Sequence, residues 1–139
     1  MTTNTDSTQL ILRIDWSDLD LFGHVNNVAF YRYMQAARVQ FWQQIGLYEK
    51  YESEGIAPLL VSATIDFKKP LHFPGKAIID HRPVFVRNTS FGLEYSIMDE
   101  EGITAAKGHD AMVLYDFRNA CKLEFPAALR KSIKRFMNR

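Results

Sequence analysis

The chain has 139 residues, which suits one compact domain and is short for two. Its 47% apolar and 24% charged residues give the balance of a soluble globular protein and exclude an intrinsically disordered chain. With 17 basic and 16 acidic residues the formal net charge is +1, so composition makes no electrostatic case for nucleic acid as a partner. The charge is uneven, because Arg130, Lys131, Lys134, Arg135 and Arg139 follow Pro126 with no acidic residue among them. Cys121, the single cysteine, excludes an internal disulfide and a cysteine metal cluster. No leader-like apolar segment and no run of about 18 apolar residues occurs, so neither a secretory signal nor a membrane span is expected and a cytoplasmic setting is the default. The expectation is a single domain over 1–139, with residues 1–8 as a flexible tail.

The elements follow from periodicity. Leu10, Leu12, Ile14 and Trp16 alternate with Ile11, Arg13, Asp15 and Ser17, a first strand with one strongly apolar face. Residues 18–27 carry small and polar side chains around Gly23 and read as a loop, with Asn26 or Asn27 placed as a helix N-cap. From Val28 the period changes: Phe30, Met34, Ala37, Phe41 and Ile45 mark one face of a long helix that stops near Gly46. Tyr31, Tyr33, Val39 and Trp42 widen its apolar surface, which predicts a helix wrapped by other structure. Residues 49–55 read as a charged connection.

Period two returns at Leu59, Val61, Ala63, Ile65 and Phe67, a second strand. Pro70 and Pro74-Gly75 turn the chain into a less regular strand, 77–87, where Pro83 implies a bulge or an edge. A turn at 87–90 leads to an alternating strand through Phe91, Leu93, Tyr95 and Ile97. Asp99-Glu100-Glu101-Gly102 closes a hairpin into a long strand, 103–117, and Pro126 opens a basic C-terminal helix. Strand–helix alternation is missing, which disfavours a doubly wound parallel sheet. The order fits an α+β fold, an antiparallel sheet of about five strands curling around one central helix. Asn88-Thr89-Ser90 matches a glycosylation sequon but reads as a turn.

Nucleophile-elbow, phosphate-loop, dinucleotide, zincin and EF-hand motifs are all missing from the sequence. His24, His72, His81 and His109 have no metal-ligand spacing, so no metal or cofactor is expected. The informative segment is Asp18-Leu19-Asp20-Leu21-Phe22-Gly23-His24-Val25-Asn26-Asn27. It places two carboxylates just ahead of a helix N-terminus, whose unpaired N–H groups and macrodipole can stabilise an oxyanion. A nearby carboxylate can attack a carbonyl or activate water. Such a pair can perform acyl transfer without a metal, although an aspartate before a helix is more often a cap or a surface charge.

The same segment, DxDxxGHVNN followed by the aromatic-rich FYRYMQAARVQFW, resembles the hydroxybenzoyl-CoA thioesterase-like branch of the hotdog-fold acyl-CoA thioesterases, in the subgroup with GHVNN in that loop. The resemblance extends over nearly the whole chain, including Phe67-Lys68-Lys69-Pro70-Leu71 before the second turn. It implies a hotdog fold and hydrolysis of an acyl-CoA to carboxylate and CoA. It implies that Asp20 is the catalytic carboxylate, that the backbone N–H of Asn27 polarises the thioester carbonyl, and that the turn from Arg87 to Ser90 contacts CoA phosphates. Only Arg87 is basic there. It also implies a homo-oligomer, a dimer or a dimer of dimers (a homotetramer), with the site at the dimer interface.

Each residue has a plainer alternative. Asp20 could merely close the turn. Asp18 reads as structural. His24 is a candidate substrate contact or orienter of Asp20, against the commoner fate of a packed imidazole. The helix aromatics are mainly core, with Tyr31 the candidate for lining an acyl pocket. The basic C-terminal helix is a solvated face or a phosphate contact. Asp66, on the polar side of its strand, reads as solvated or paired with Lys68. His72-Phe73-Pro74-Gly75 resembles the HFPG of hotdog hydroxyacyl dehydratases, but a strand follows it rather than the central helix, so it reads as a turn. Two functions compete with the hydrolase: a non-catalytic module binding acyl-CoA or an aromatic ligand, and a thioesterase acting on acyl-carrier protein.

Overall fold

In the computed structural model, which describes residues 7–138, the sheet runs in the order β1-β3-β4-β5-β2 and every pairing is antiparallel. Its strands are β1 (Gln9–Arg13), β2 (Ile56–Phe67), β3 (Lys76–Val86), β4 (Ser90–Met98) and β5 (Thr104–Asp116), with a two-residue β6 (Cys121–Lys122) added on β5. Three α-helices accompany it: α1 (Asn27–Gln44), α2 (Leu47–Glu54) and α3 (Ala127–Met137). This is the α+β architecture expected, a sheet curled about one long helix. Residues 1–6, most of the expected tail, lie outside the described residues. Among the described residues no helix is long and apolar enough to cross a membrane.

The stripe that predicts α1 is the stripe that buries. Phe30, Met34, Ala37, Phe41 and Ile45 all enter the core, where they meet Ile79, Phe91, Leu93, Tyr95 and Ile97 of the sheet. Phe41 also packs edge-on against Phe136 of α3, at 5.4 Å between ring centroids. Thus α3 closes the core beside α1 with Leu129, Ile133 and Phe136, while its basic residues Lys131, Lys134 and Arg135 stay outside. Wrapping of α1 is incomplete, however: Tyr31 and Val39 remain exposed.

Three expectations need correction. The first strand ends at Arg13, and Trp16 sits in a short 3-10 turn, 74% exposed, instead of in the apolar face. The turn forms because the Asp15 N–H donates to Asp18 Oδ2 at 3.0 Å. The charged connection is a helix, α2, bounded by Gly46 and Gly55 in left-handed conformation. Its single buried residue, Leu47, gives too little periodicity to stand out. In β2 the alternation holds only in part: Ala63 and Ile65 pack against the core, whereas Leu59, Leu60, Val61 and Phe67 are exposed, and the register shifts between Leu60 and Ser62. Of the two readings of Asp66 the solvated one holds: it is exposed and, among the described residues, forms no ion pair with Lys68. Pro83 does mark a bulge, with the register of β3 against β4 shifting between Pro83 and Phe85.

A polar cluster lies inside this core. Arg38 sits on the buried stripe of α1, between Met34 and Phe41, and its Nε donates to Asp110 Oδ2 of β5 at 2.7 Å. Asp110 also accepts from the Leu93 N–H and from the Tyr95 hydroxyl. Burial first, and then the Asp110 charge and hydrogen bond, push the Tyr95 phenol well above its ordinary range. The cluster ties α1, β4 and β5 together by groups far apart in sequence.

Candidate active site

The two aspartates of the motif have opposite environments. Asp18 is buried. Its carboxylate accepts from the Asp15 N–H, from Arg32 Nη2 at 2.6 Å and from the Tyr33 hydroxyl at 2.8 Å. Burial alone would raise its pKa, but the Asp15 N–H, Tyr33 and Arg32 outweigh it and hold the carboxyl below the ordinary range. In turn, burial and Asp18 push the Tyr33 phenol up. The Asp18 carbonyl accepts the Asn26 N–H at 2.9 Å, so this residue also fixes the entry to α1. Asp18 is structural, as its sequence context suggests.

Asp20 is exposed. Its Oδ1 accepts from the Phe22 N–H at 2.8 Å and the His24 N–H at 3.2 Å. Both bonds fall on one oxygen, and among the described residues Oδ2 accepts none. The loop between them turns through Gly23, whose φ of +81° is costly for any residue with a Cβ. The Asp20 N–H donates to the His24 carbonyl at 2.7 Å, so Asp20 and His24 bond to each other in both directions.

Asn26 is the N-cap of α1, accepting the Ala29 N–H on Oδ1 at 2.8 Å. Asn27 is the first helical residue. Its N–H has no acceptor within the helix by construction, and it lies at the positive end of the macrodipole. The structure therefore assembles a half-engaged carboxylate and a helix N-terminus on one short loop. That loop rests on the β2–β3 connection through Val25 N–H to Leu71 O at 3.0 Å and a bridge between His24 and His72. His72 precedes Pro74 and the strand β3, so HFPG is a turn here.

The remaining predicted residues are scattered. His24 is half-buried and its ring stands edge-on to His72. Tyr31 is exposed on α1, one turn past Asn27. Arg87 and Ser90 close the β3–β4 turn, with Arg87 N–H donating to Ser90 O at 2.7 Å and the guanidinium lying 4.5 Å above the Phe85 ring. Arg130 Nη2 of α3 donates to the Arg87 carbonyl at 3.0 Å. This turn is at the far end of β3 from the Asp20 loop, which sits beside Leu71 and Gly75. The length of β3 separates them by roughly 30 Å. Within one chain Asp20 and Arg87 are not brought together.

The site also lies open. Leu21 and Phe22 are 91% and 80% exposed. A cleft of about 960 Å³ along α1, lined by residues such as Leu10, Gln40 and Tyr48, touches neither Asp20 nor Asn27. Among the described residues no group of three or more His, Cys, Asp or Glu side chains is placed to hold a metal. Arg32 and Tyr33 are the functional neighbours that periodicity hides, because it reads Tyr33 only as extra apolar area.

The profile of the thioesterase-like superfamily matches residues 14–133, which include the whole motif loop, α1 and the sheet from β2 onward. The chain belongs to the thioesterase-like superfamily. Its fold is similar to that of the gentisyl-coenzyme A thioesterase BH1999, at 25% identity and a TM-score of 0.79, over 90% of this chain and 98% of that one. It is similar to a Thermus thermophilus thioesterase complexed with coenzyme A and Zn, at 25% identity and a TM-score of 0.82, over 94% of each chain. At 19% identity a Synechocystis 1,4-dihydroxy-2-naphthoyl-CoA thioesterase shares the fold, with a TM-score of 0.80 over 91% of this chain and 95% of that one. Among curated proteins no match is found. These likenesses establish the hotdog architecture of this superfamily member.

Proposed function

We propose that this superfamily member hydrolyses acyl-CoA thioesters, and that within the superfamily it falls in the hydroxybenzoyl-CoA thioesterase-like branch with GHVNN in the loop. The observation that carries the reading is Asp20, whose Oδ1 is held by two loop amides while Oδ2 stays available, on the loop that leads into α1. The Asn27 N–H receives the carbonyl oxygen as it gains charge, a donor contribution of about 3 kcal/mol. Asp20 either attacks the carbonyl carbon, giving a mixed anhydride that water then opens, or takes a proton from the attacking water. By either route the C–S bond breaks, the CoA thiolate leaves and takes up a proton, and the acyl group departs as carboxylate. His24 and Tyr31 flank the acyl group, and Arg87 and Ser90 meet the phosphates of CoA.

A second copy of the chain completes this site. Of the two edges of the sheet, β1 and β2, the longer is β2, and Leu59, Leu60, Val61 and Phe67 expose apolar surface along it. Phe30 at the start of α1 packs on Phe67 at the end of that strand, 5.2 Å between ring centroids. If two β2 edges pair antiparallel about a two-fold axis, the Ile56 end of one strand lies beside the Phe67 end of the other. That arrangement puts the Arg87–Ser90 turn of one copy at the same end as the Asp20 loop of its partner, which supports both assignments together.

The test is thiol release from short-chain, long-chain and aromatic acyl-CoA by the wild type and by Asp20→Asn, with the oligomeric state measured on the same samples by sedimentation. Expected are turnover of at least one substrate by an oligomer and a loss of roughly 10²-fold or more in the variant. Near-normal turnover by a folded Asp20→Asn removes Asp20 from the mechanism. Saturable binding without thiol release assigns the protein as a binding module, and release only from acyl-carrier-protein thioesters moves the substrate class.

A further inference from the structure

We propose that His72 is a positioning residue for the Asp20 loop; this rests on the reading of Asp20 as the catalytic carboxylate. His72 lies in the connection between β2 and β3, 48 residues from His24 in sequence, yet the two residues bridge antiparallel. Their imidazoles meet edge to face, with centroids 5.1 Å apart and planes at 78°. Among the described residues neither ring makes a hydrogen bond or an ion pair, so the ring contact is the directional contact of the half-buried His24 side chain.

His24 is the residue through which movement would reach Asp20. Its N–H donates to Asp20 Oδ1 and its carbonyl accepts the Asp20 N–H. A shift of the His24 backbone therefore turns the Asp20 carboxylate relative to the start of α1. The platform under it is fixed from both sides. Lys68 and Lys69 N–H groups donate to Ala105 O at 2.7 and 3.1 Å, Lys69 Nζ pairs with Asp99, and Ile14 N–H donates to Gly75 O at 2.9 Å. His72 stands between these anchors and is itself exposed, so it adds little to the core. Its ring serves as a rigid stop against which the motif loop is set. Placement errors of about an ångström are enough to slow chemistry without weakening binding.

The experiment compares His72→Ala and His72→Phe with the wild type and Asp20→Asn. It uses the acyl-CoA that the wild type turns over fastest, together with hydrogen exchange of the Phe22 and His24 amides that hold Asp20. His72→Ala should lower kcat about 5-fold or more, leave KM within about 2-fold, and speed exchange of both amides by a similar factor. His72→Phe keeps an edge-to-face ring and should restore kcat and exchange to near wild type. Wild-type kcat and exchange in His72→Ala overturn the proposal. So does a raised KM at unchanged kcat, which makes His72 a substrate contact, or a loss that Phe does not rescue, which makes the imidazole itself necessary. If Asp20→Asn keeps full turnover, the reading of Asp20 fails by itself. The exchange rates then decide separately whether His72 sets the loop.

Discussion

Replacing Asp18 by alanine tests the claim that one aspartate of the motif builds the loop while the other faces the substrate. Three groups lose their acceptor. The Tyr33 hydroxyl belongs to a residue only 5% exposed, and a buried hydroxyl left without a partner costs about 1–3 kcal/mol. The Asp15 N–H loses a cap-like bond, about 1 kcal/mol. Arg32 is more than half exposed and rehydrates, adding at most a few tenths. The sum is about 2–4 kcal/mol, read as a fall in the urea midpoint at unchanged m-value and fixed protomer concentration. Adding Tyr33→Phe to Asp18→Ala removes the orphaned hydroxyl and should recover about 1 kcal/mol, whereas Tyr33→Phe alone should destabilise. The difference between wild type and Asp18→Ala also depends on pH. The folded carboxyl is held below its ordinary 3.8, so its contribution is complete above that value and disappears as pH falls through the folded pKa. A destabilisation under about 0.5 kcal/mol, strictly additive single and double variants, or a gap that widens in acid would each refute the assignment.

Asp110→Ala leaves Arg38, 6% exposed, without its carboxylate and should cost about 3–5 kcal/mol in the same urea experiment; a loss below about 1 kcal/mol would mean that water reaches the guanidinium. His81 is 2% exposed, its Nε2 is 2.6 Å from Gln40 Oε1, and burial lowers its pKa to about 4 against an opposing pull from Asp80. The unfolded chain binds the proton first, so stability should fall as pH drops from about 6.5 to 4, by about 3 kcal/mol relative to His81→Gln. A gap independent of pH would refute a buried neutral imidazole.

Periodicity located the helix and most strands because those signals depend on neighbours a few positions away. It failed where long-range contacts decide. The alternation in β2 reads as inside and outside, but an edge strand with a bulge exposes both Leu60 and Val61. An arginine in the middle of the buried stripe of α1 was a visible sign of a buried partner. Nothing local pointed to Asp110, 72 residues away.

What the linear chain determined by itself was the turn at Gly23, a cap at Asn26 or Asn27, the apolar face from Phe30 to Ile45 and the loop carrying Asp18 and Asp20. Each follows from backbone freedom, from a side-chain oxygen reaching an amide three residues on, or from a 3.6-residue repeat. Only the folded molecule separated the two carboxylates, sinking Asp18 onto Tyr33 and leaving Asp20 in solvent. It also set His24 against His72 and carried Arg87 to the opposite end of the sheet. Those outcomes depend on which distant groups share a neighbourhood, and solvation and charge pairing respond to distance in space rather than to position along the chain.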